Sequence, residues 1–159
     1  MMNLPSKIGL TYLVLILQTT LASNLVIQGA IPNFVLILVI MLSFSSDYIQ
    51  SISLGFWIGF GLDALSPANF GANTLTMTLM AYATFQTNQK LFINDVLSRI
   101  LLMCGAIIIY HFVFLFVLCR TELIRFPVLL FSQGLPAILY TSMIGIITIL
   151  LVFYRKKHA

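Results

Sequence analysis

Charge is what this sequence has least of. Its 159 residues include four acidic and eight basic side chains; 8% of the chain is charged and 60% is hydrophobic. Soluble domains carry roughly a quarter charged residues, so an ordinary water-facing surface is excluded. Cysteine is almost as scarce. Cys104 and Cys119 stand fifteen positions apart on what reads as one helix, about 22 Å at ~1.5 Å rise per residue, so they cannot pair within it. There is no CxxC pattern and no His/Cys cluster, so neither a metal nor a cofactor is expected. HExxH, paired carboxylates and a Ser/His/acid set at catalytic spacing are missing too, which disfavours an enzyme. The net charge of +4 does not point to nucleic acid, because no basic face with interleaved aromatics exists. Arg155, Lys156 and Lys157 account for three of the eight basic residues and read as a cytoplasmic stop-transfer cluster.

What fills the chain is apolar sequence, at a mean hydropathy of +1.07. Long apolar stretches with short polar punctuation fit an all-α membrane bundle; a barrel would show weakly alternating segments of about ten residues. Six spans are expected in a single integral membrane domain covering 1–159, at about 8–26, 32–44, 49–65, 70–85, 96–119 and 127–154. The second, third and fourth fall short of the roughly 20 residues that cross a bilayer comfortably, so they are not plain lipid-facing anchors. The last starts at Pro127 or Gly134, and a kink is expected near Pro136. No internal repeat or low-complexity segment is present.

Basic residues set an orientation. With the N-terminus inside, the cytoplasmic side holds Lys7, Lys90, Arg99, Arg155, Lys156 and Lys157, and the outside holds Arg120 and Arg125. Both termini are therefore expected in the cytoplasm. Lys7 to Ser23 has the parts of a signal peptide, but its apolar stretch runs past the passable cleavage site at Thr20-Leu21-Ala22 to Val26, which favours a span. The longest polar stretch, Thr87 to Asp95, then faces the cytoplasm. Asp95 and Arg99, four apart, are expected to form an ordinary surface pair at a solvated helix start.

The run GFGLDALSPANFGANTL, Gly59 to Leu75, is the chain's main polar interruption. An aspartate at bilayer depth costs roughly 2.5 to 3.5 kcal/mol, so Asp63 needs a partner or an exit to the interface. Ser51, Gly55, Gly59 and Asp63 recur every four residues and form one stripe of small side chains ending in the acid, which reads as a packing groove. Ser66 before Pro67 is a helix-start signal, with Asn69 as the alternative cap; either aims the positive end of the fourth span at Asp63. Asp63 is expected to pair with those amides or with Arg120 or Arg125. Asn73, Thr74 and Thr78 read as interhelical glue, and His111 as a buried, hydrogen-bonded histidine rather than a proton relay.

Ile31-Pro32-Asn33-Phe34, the stretch GFWIGFGLDALSPANFGANTL from Gly55, and Ala81-Tyr82 together resemble the MreD family of the bacterial cell-elongation machinery. The likeness covers most of the chain; Arg125-Phe126-Pro127 is a weaker match. The resemblance implies a noncatalytic subunit of the cell membrane that associates with MreC, and through it with RodA and its class B penicillin-binding protein, with MreB filaments as cytoplasmic neighbours. It also implies a fold similar to the S-components of energy-coupling-factor transporters, with the Asp63 region as one side of a vestigial or repurposed pocket. Pro32, Asn33, Gly59, Asp63, Ser66, Gly71 and Asn73 are the family's motif positions present here. Pro67 stands where the family often has glycine. The leading expectation is a membrane scaffold; a substrate-binding transporter subunit is the alternative.

Overall fold

A computed structural model describes residues 9, 13–16, 18–20, 31–65, 70–91, 95–119 and 126–157, and every regular element among them is helical. Most of the first expected span lies outside this set; residues 13–16 and 18–20 are helical. The remaining helices are α1 (Phe34–Ser43), α2 (Tyr48–Leu65), α3 (Ala72–Leu91), α4 (Val96–Leu118), α5 (Phe126–Leu129) and α6 (Leu135–Lys157), with a π-helical turn at Leu130–Gly134 joining the last two. By length and composition Val96–Leu118 and the continuous Phe126–Arg155 are apolar enough to cross a bilayer.

The ten-residue α1 is the centre of the molecule. At ~1.5 Å per residue it is about 15 Å long, half a bilayer's hydrocarbon thickness. Nearly every residue from Val35 to Ser43 is buried, as expected of a helix that is apolar all round. It packs against α2, α3, α4 and α6, and its side chains join Ile58, Met77, Met103, Ile107 and Ile149 in one core. A stretch too short to be an anchor has thus become the post around which the longer helices stand.

The closest pairing in the fold is α2 with α3. Glycine makes it possible. A Cβ on Gly55 would stand 2.8 Å from both Ala81 Cβ and the Met77 carbonyl, and one on Gly59 would stand 2.5 Å from Thr74 Cα and 2.6 Å from the Asn73 carbonyl. The stripe expected to be a packing groove is therefore filled by the backbone of α3. Helix α3 runs to Leu91, beyond the apolar stretch that ends at Phe85. Hydropathy locates the apolar part of a helix, whereas Gln86, Gln89 and Lys90 are good helix formers that carry the spiral on.

One further expectation takes a specific form and another changes. The irregularity near Pro136 is a π-turn, in which the Leu135 N–H bonds to the Leu130 carbonyl five residues back. Proline has no N–H and its ring crowds the carbonyl four residues earlier, so widening the preceding turn accommodates it. Arg99 forms no surface pair with Asp95. Its guanidinium lies 5.7 Å from the Phe44 ring centre and 5.9 Å from that of Phe153, since stacking on aromatic faces suits a weakly hydrated guanidinium at a bundle end. Both cysteines are free thiols.

Because the atoms around Gly59 are main chain and those around Gly145 are the flexible Met103 side chain, Gly59→Ala is expected to destabilise by about 1–3 kcal/mol and Gly145→Ala by less. Detergent-titrated unfolding of the two variants checks the order; equal losses would mean that α3 can retreat from α2.

Candidate functional site

Asp63 is wholly buried within the last turn of α2, two residues before its end. Its Oδ1 accepts from the Asn73 backbone N–H and from Asn73 Nδ2, both at 3.0 Å; its Oδ2 accepts from the Thr74 N–H at 2.8 Å and from Thr74 Oγ1 at 2.5 Å. The carboxylate is an N-cap supplied from another helix: it takes two of the free amides in the first turn of α3 and sits on the positive end of that helix's dipole. Gly59 permits this. By letting α3's first turn rest on the α2 backbone, it brings the amides within reach of a side chain one turn further on.

The amide partner foreseen for Asp63 is thus present, while Arg120 and Arg125 lie outside the described residues. Ser66, Pro67 and Asn69 lie outside them as well. Regular helix begins only at Ala72, after Gly71 at φ +94°. A helix running unbroken from a Ser66 or Asn69 cap is ruled out, because a left-handed residue breaks the spiral. Of the three polar residues read as glue, Asn73 and Thr74 bridge helices and Thr78 does not: its hydroxyl donates to the Thr74 carbonyl of its own helix at 2.6 Å.

A second polar knot holds the entry to α1. The Asn33 side chain accepts from the Leu36 N–H at 2.9 Å, an ordinary cap. The Asn33 N–H donates to Thr141 Oγ1 at 3.2 Å; Gln18 donates to the Pro32 carbonyl at 3.0 Å and accepts from the Phe34 N–H at 2.8 Å. Gln18 and Thr141 escaped the sequence reading. The lone amide in Leu13–Leu17-Gln18 was a usable signal, whereas Thr141 is one hydroxyl among many on α6 and only its burial picks it out.

Between these knots lies a cavity of about 500 Å³, on which Asn33, Asn73, His111 and Gln133 converge with Leu62 and Phe114. Pro32, Asn33, Asp63 and Asn73 therefore belong to one neighbourhood, and Gly55 lies further along the α2–α3 seam. His111 is buried as expected, with Nδ1 2.9 Å from the Ile107 carbonyl. Among the described residues no three His, Cys, Asp or Glu side chains are grouped to hold a metal. On its outer face the α2–α3 pair carries an apolar groove of about 710 Å³, walled by Phe56, Phe60, Phe70 and Tyr82.

The family model described as rod shape-determining protein MreD matches residues 2–157. The chain belongs to the MreD family. It is accordingly a noncatalytic membrane protein with a role in determining rod shape; in the structure Gly55, Gly59, Asp63, Asn73 and Thr74 are residues that fasten α2 to α3. No curated protein and no solved structure matches the chain.

Asp63→Asn replaces two acceptor positions with an NH₂ group facing the Thr74 N–H. The loss expected is about 2–3 kcal/mol, the range for removing hydrogen bonds to a charged group. Hydrogen exchange at Asn73 and Thr74 checks it: the amides should open locally while those of α1 stay protected.

Proposed function

We propose that this chain is a membrane scaffold of the bacterial cell-elongation complex. It associates with MreC and, through MreC, with RodA and the class B penicillin-binding protein of peptidoglycan synthesis, with MreB on the cytoplasmic side. The whole chain acts as one domain of the inner membrane, with six crossings and both termini in the cytoplasm. The fold this implies is that of an S-component without its transport role. The observation that carries the reading is that the MreD family covers residues 2–157, and the use of Asp63 agrees with it. All four contacts of that carboxylate are made within the chain, so Asp63, the deeply buried acid among the described residues, is committed to fixing α3 against α2.

A scaffold in lipid works by presenting a rigid surface to another helix, since association there depends on close packing rather than on hydrophobic burial. The groove between α2 and α3 is such a surface. Thr74 and Thr78 contribute short side chains to it and four aromatic rings form its walls; the single transmembrane helix of MreC is the occupant we assign to it. A second reading, a substrate-binding transporter subunit, is favoured by the cavity beside Asn33 and Asn73, where several polar groups converge.

Affinity capture from native membranes separates the two readings: MreC and RodA are expected, and recovery of an energising ATPase pair would overturn the scaffold. Filling the groove at an exposed position, Leu79→Trp, should reduce MreC recovery several-fold without lowering the chain's own abundance. A fluorescent reporter fused after the C-terminal basic cluster is expected to mature, as it does only in the cytoplasm; a dark fusion of normal abundance would reverse the orientation.

A further inference from the structure

The cavity at the Asp63 end of the bundle is more polar than a packing defect needs to be. Voids left by imperfect packing are apolar and stay dry, whereas polar cavities hold water or ligand. Here His111 projects from α4, Asn73 from α3 and Gln133 from the π-turn.

The hydrogen-bonding sense of these groups is fixed by their other contacts. His111 is 8% exposed, and its Nδ1 lies 2.9 Å from the Ile107 carbonyl. A carbonyl can only accept, so Nδ1 carries the proton in the neutral ring and Nε2 is a bare acceptor. Nε2 has no partner among the described residues. Asn73 donates from Nδ2 to Asp63, which leaves its Oδ1 as an acceptor. Gln133 adds an amide from the π-turn, a distortion that is frequent at functional sites as well as before a proline. The described lining includes no charged side chain, and the nearest acid, Asp63, is saturated by its four bonds to α3.

We propose that this cavity is a binding site for an uncharged, hydroxyl-bearing molecule, either a free polyol or sugar or the headgroup of a neutral lipid. Hydroxyls supply the donors that His111 Nε2 and Asn73 Oδ1 require and can return an acceptor to Gln133. An anion meets the bare acceptors of His111 and Asn73, with no cationic side chain in the described lining to offset them. A cation finds no available counter-charge among the described residues and would be desolvated at a large penalty. Leu62 and Phe114 provide the apolar wall against which a sugar ring or glycerol backbone lies.

The chain has two histidines, His111 and His158, so ¹⁵N-histidine labelling reads this site almost alone. The full-length protein, with His158→Gln to remove the second signal, is placed in phosphatidylcholine nanodiscs. It is titrated separately with glucose, with dioctanoylglycerol and with ethylammonium. A bare Nε2 is expected in the free protein, and its resonance should move saturably toward the hydrogen-bonded position with glucose or with dioctanoylglycerol. Whichever probe acts identifies the source as soluble or lipid. Gln133→Leu, on an exposed residue, should weaken that titration about fivefold, the loss of one neutral hydrogen bond, while leaving the free-state spectrum of His111 in place. A protonated Nε2 in the free protein, a response to ethylammonium alone, no saturable response to any probe, or unchanged affinity in Gln133→Leu would each overturn the assignment.

Discussion

The structure depends on one carboxylate. Asp63 carries a charge that the membrane disfavours, and the protein resolves this by giving the charge to the amides at the start of α3. The exchange benefits both sides: helix α3 begins with unpaired N–H groups that lipid cannot satisfy, and the acid has no counter-charge among the described residues. Two unfavourable features thus cancel when they meet. The meeting needs the helices almost backbone to backbone, and Gly59 and Gly55 are therefore as much part of the clamp as the acid is.

From that constraint the rest of the architecture follows. With α2 and α3 fastened as a pair, their inner faces cover one side of the short α1 and their outer faces form the aromatic-walled groove. The α4 and α6 helices close the other side of α1, and the polar ends of α1 and α3 are left facing each other across a cavity. Shape is the product of this arrangement, in keeping with a rod-shape protein that carries out no reaction. The Asn33 and Asp63 knots do the same kind of work at the two polar helix starts: each removes exposed backbone donors and sets the entry angle of a helix.

Much of the clamp was legible in the sequence. Small residues four apart ending in an acid define a stripe on any helix, because 3.6 residues make a turn. A costly acid must find donors, and the nearest start of another helix is a ready source. The location of that start was not legible. Ser66-Pro67 is the stronger local signal, yet the regular spiral of α3 begins at Ala72 after the left-handed Gly71, and Asp63 caps its first amides. Arg99 shows the same limit. Its spacing from Asp95 predicted a pair, and two rings from distant parts of the chain, Phe44 and Phe153, captured it instead.

The sequence by itself determined the class of protein, the helical character of its segments, the glycine-acid seam and the family, since each rests on local composition, helical period or a contiguous motif. Only the tertiary structure decided that α1 stands at the centre, that Thr74 bridges helices while Thr78 turns back on its own, that Gln18 and Thr141 stitch the entry to α1, and that His111 shares a cavity with Asn73. These outcomes depend on which side chains meet across large separations in sequence. A hydrogen-bonding group has the same propensities whether its partner lies one turn away or a hundred residues distant, so no local signal could have selected among them.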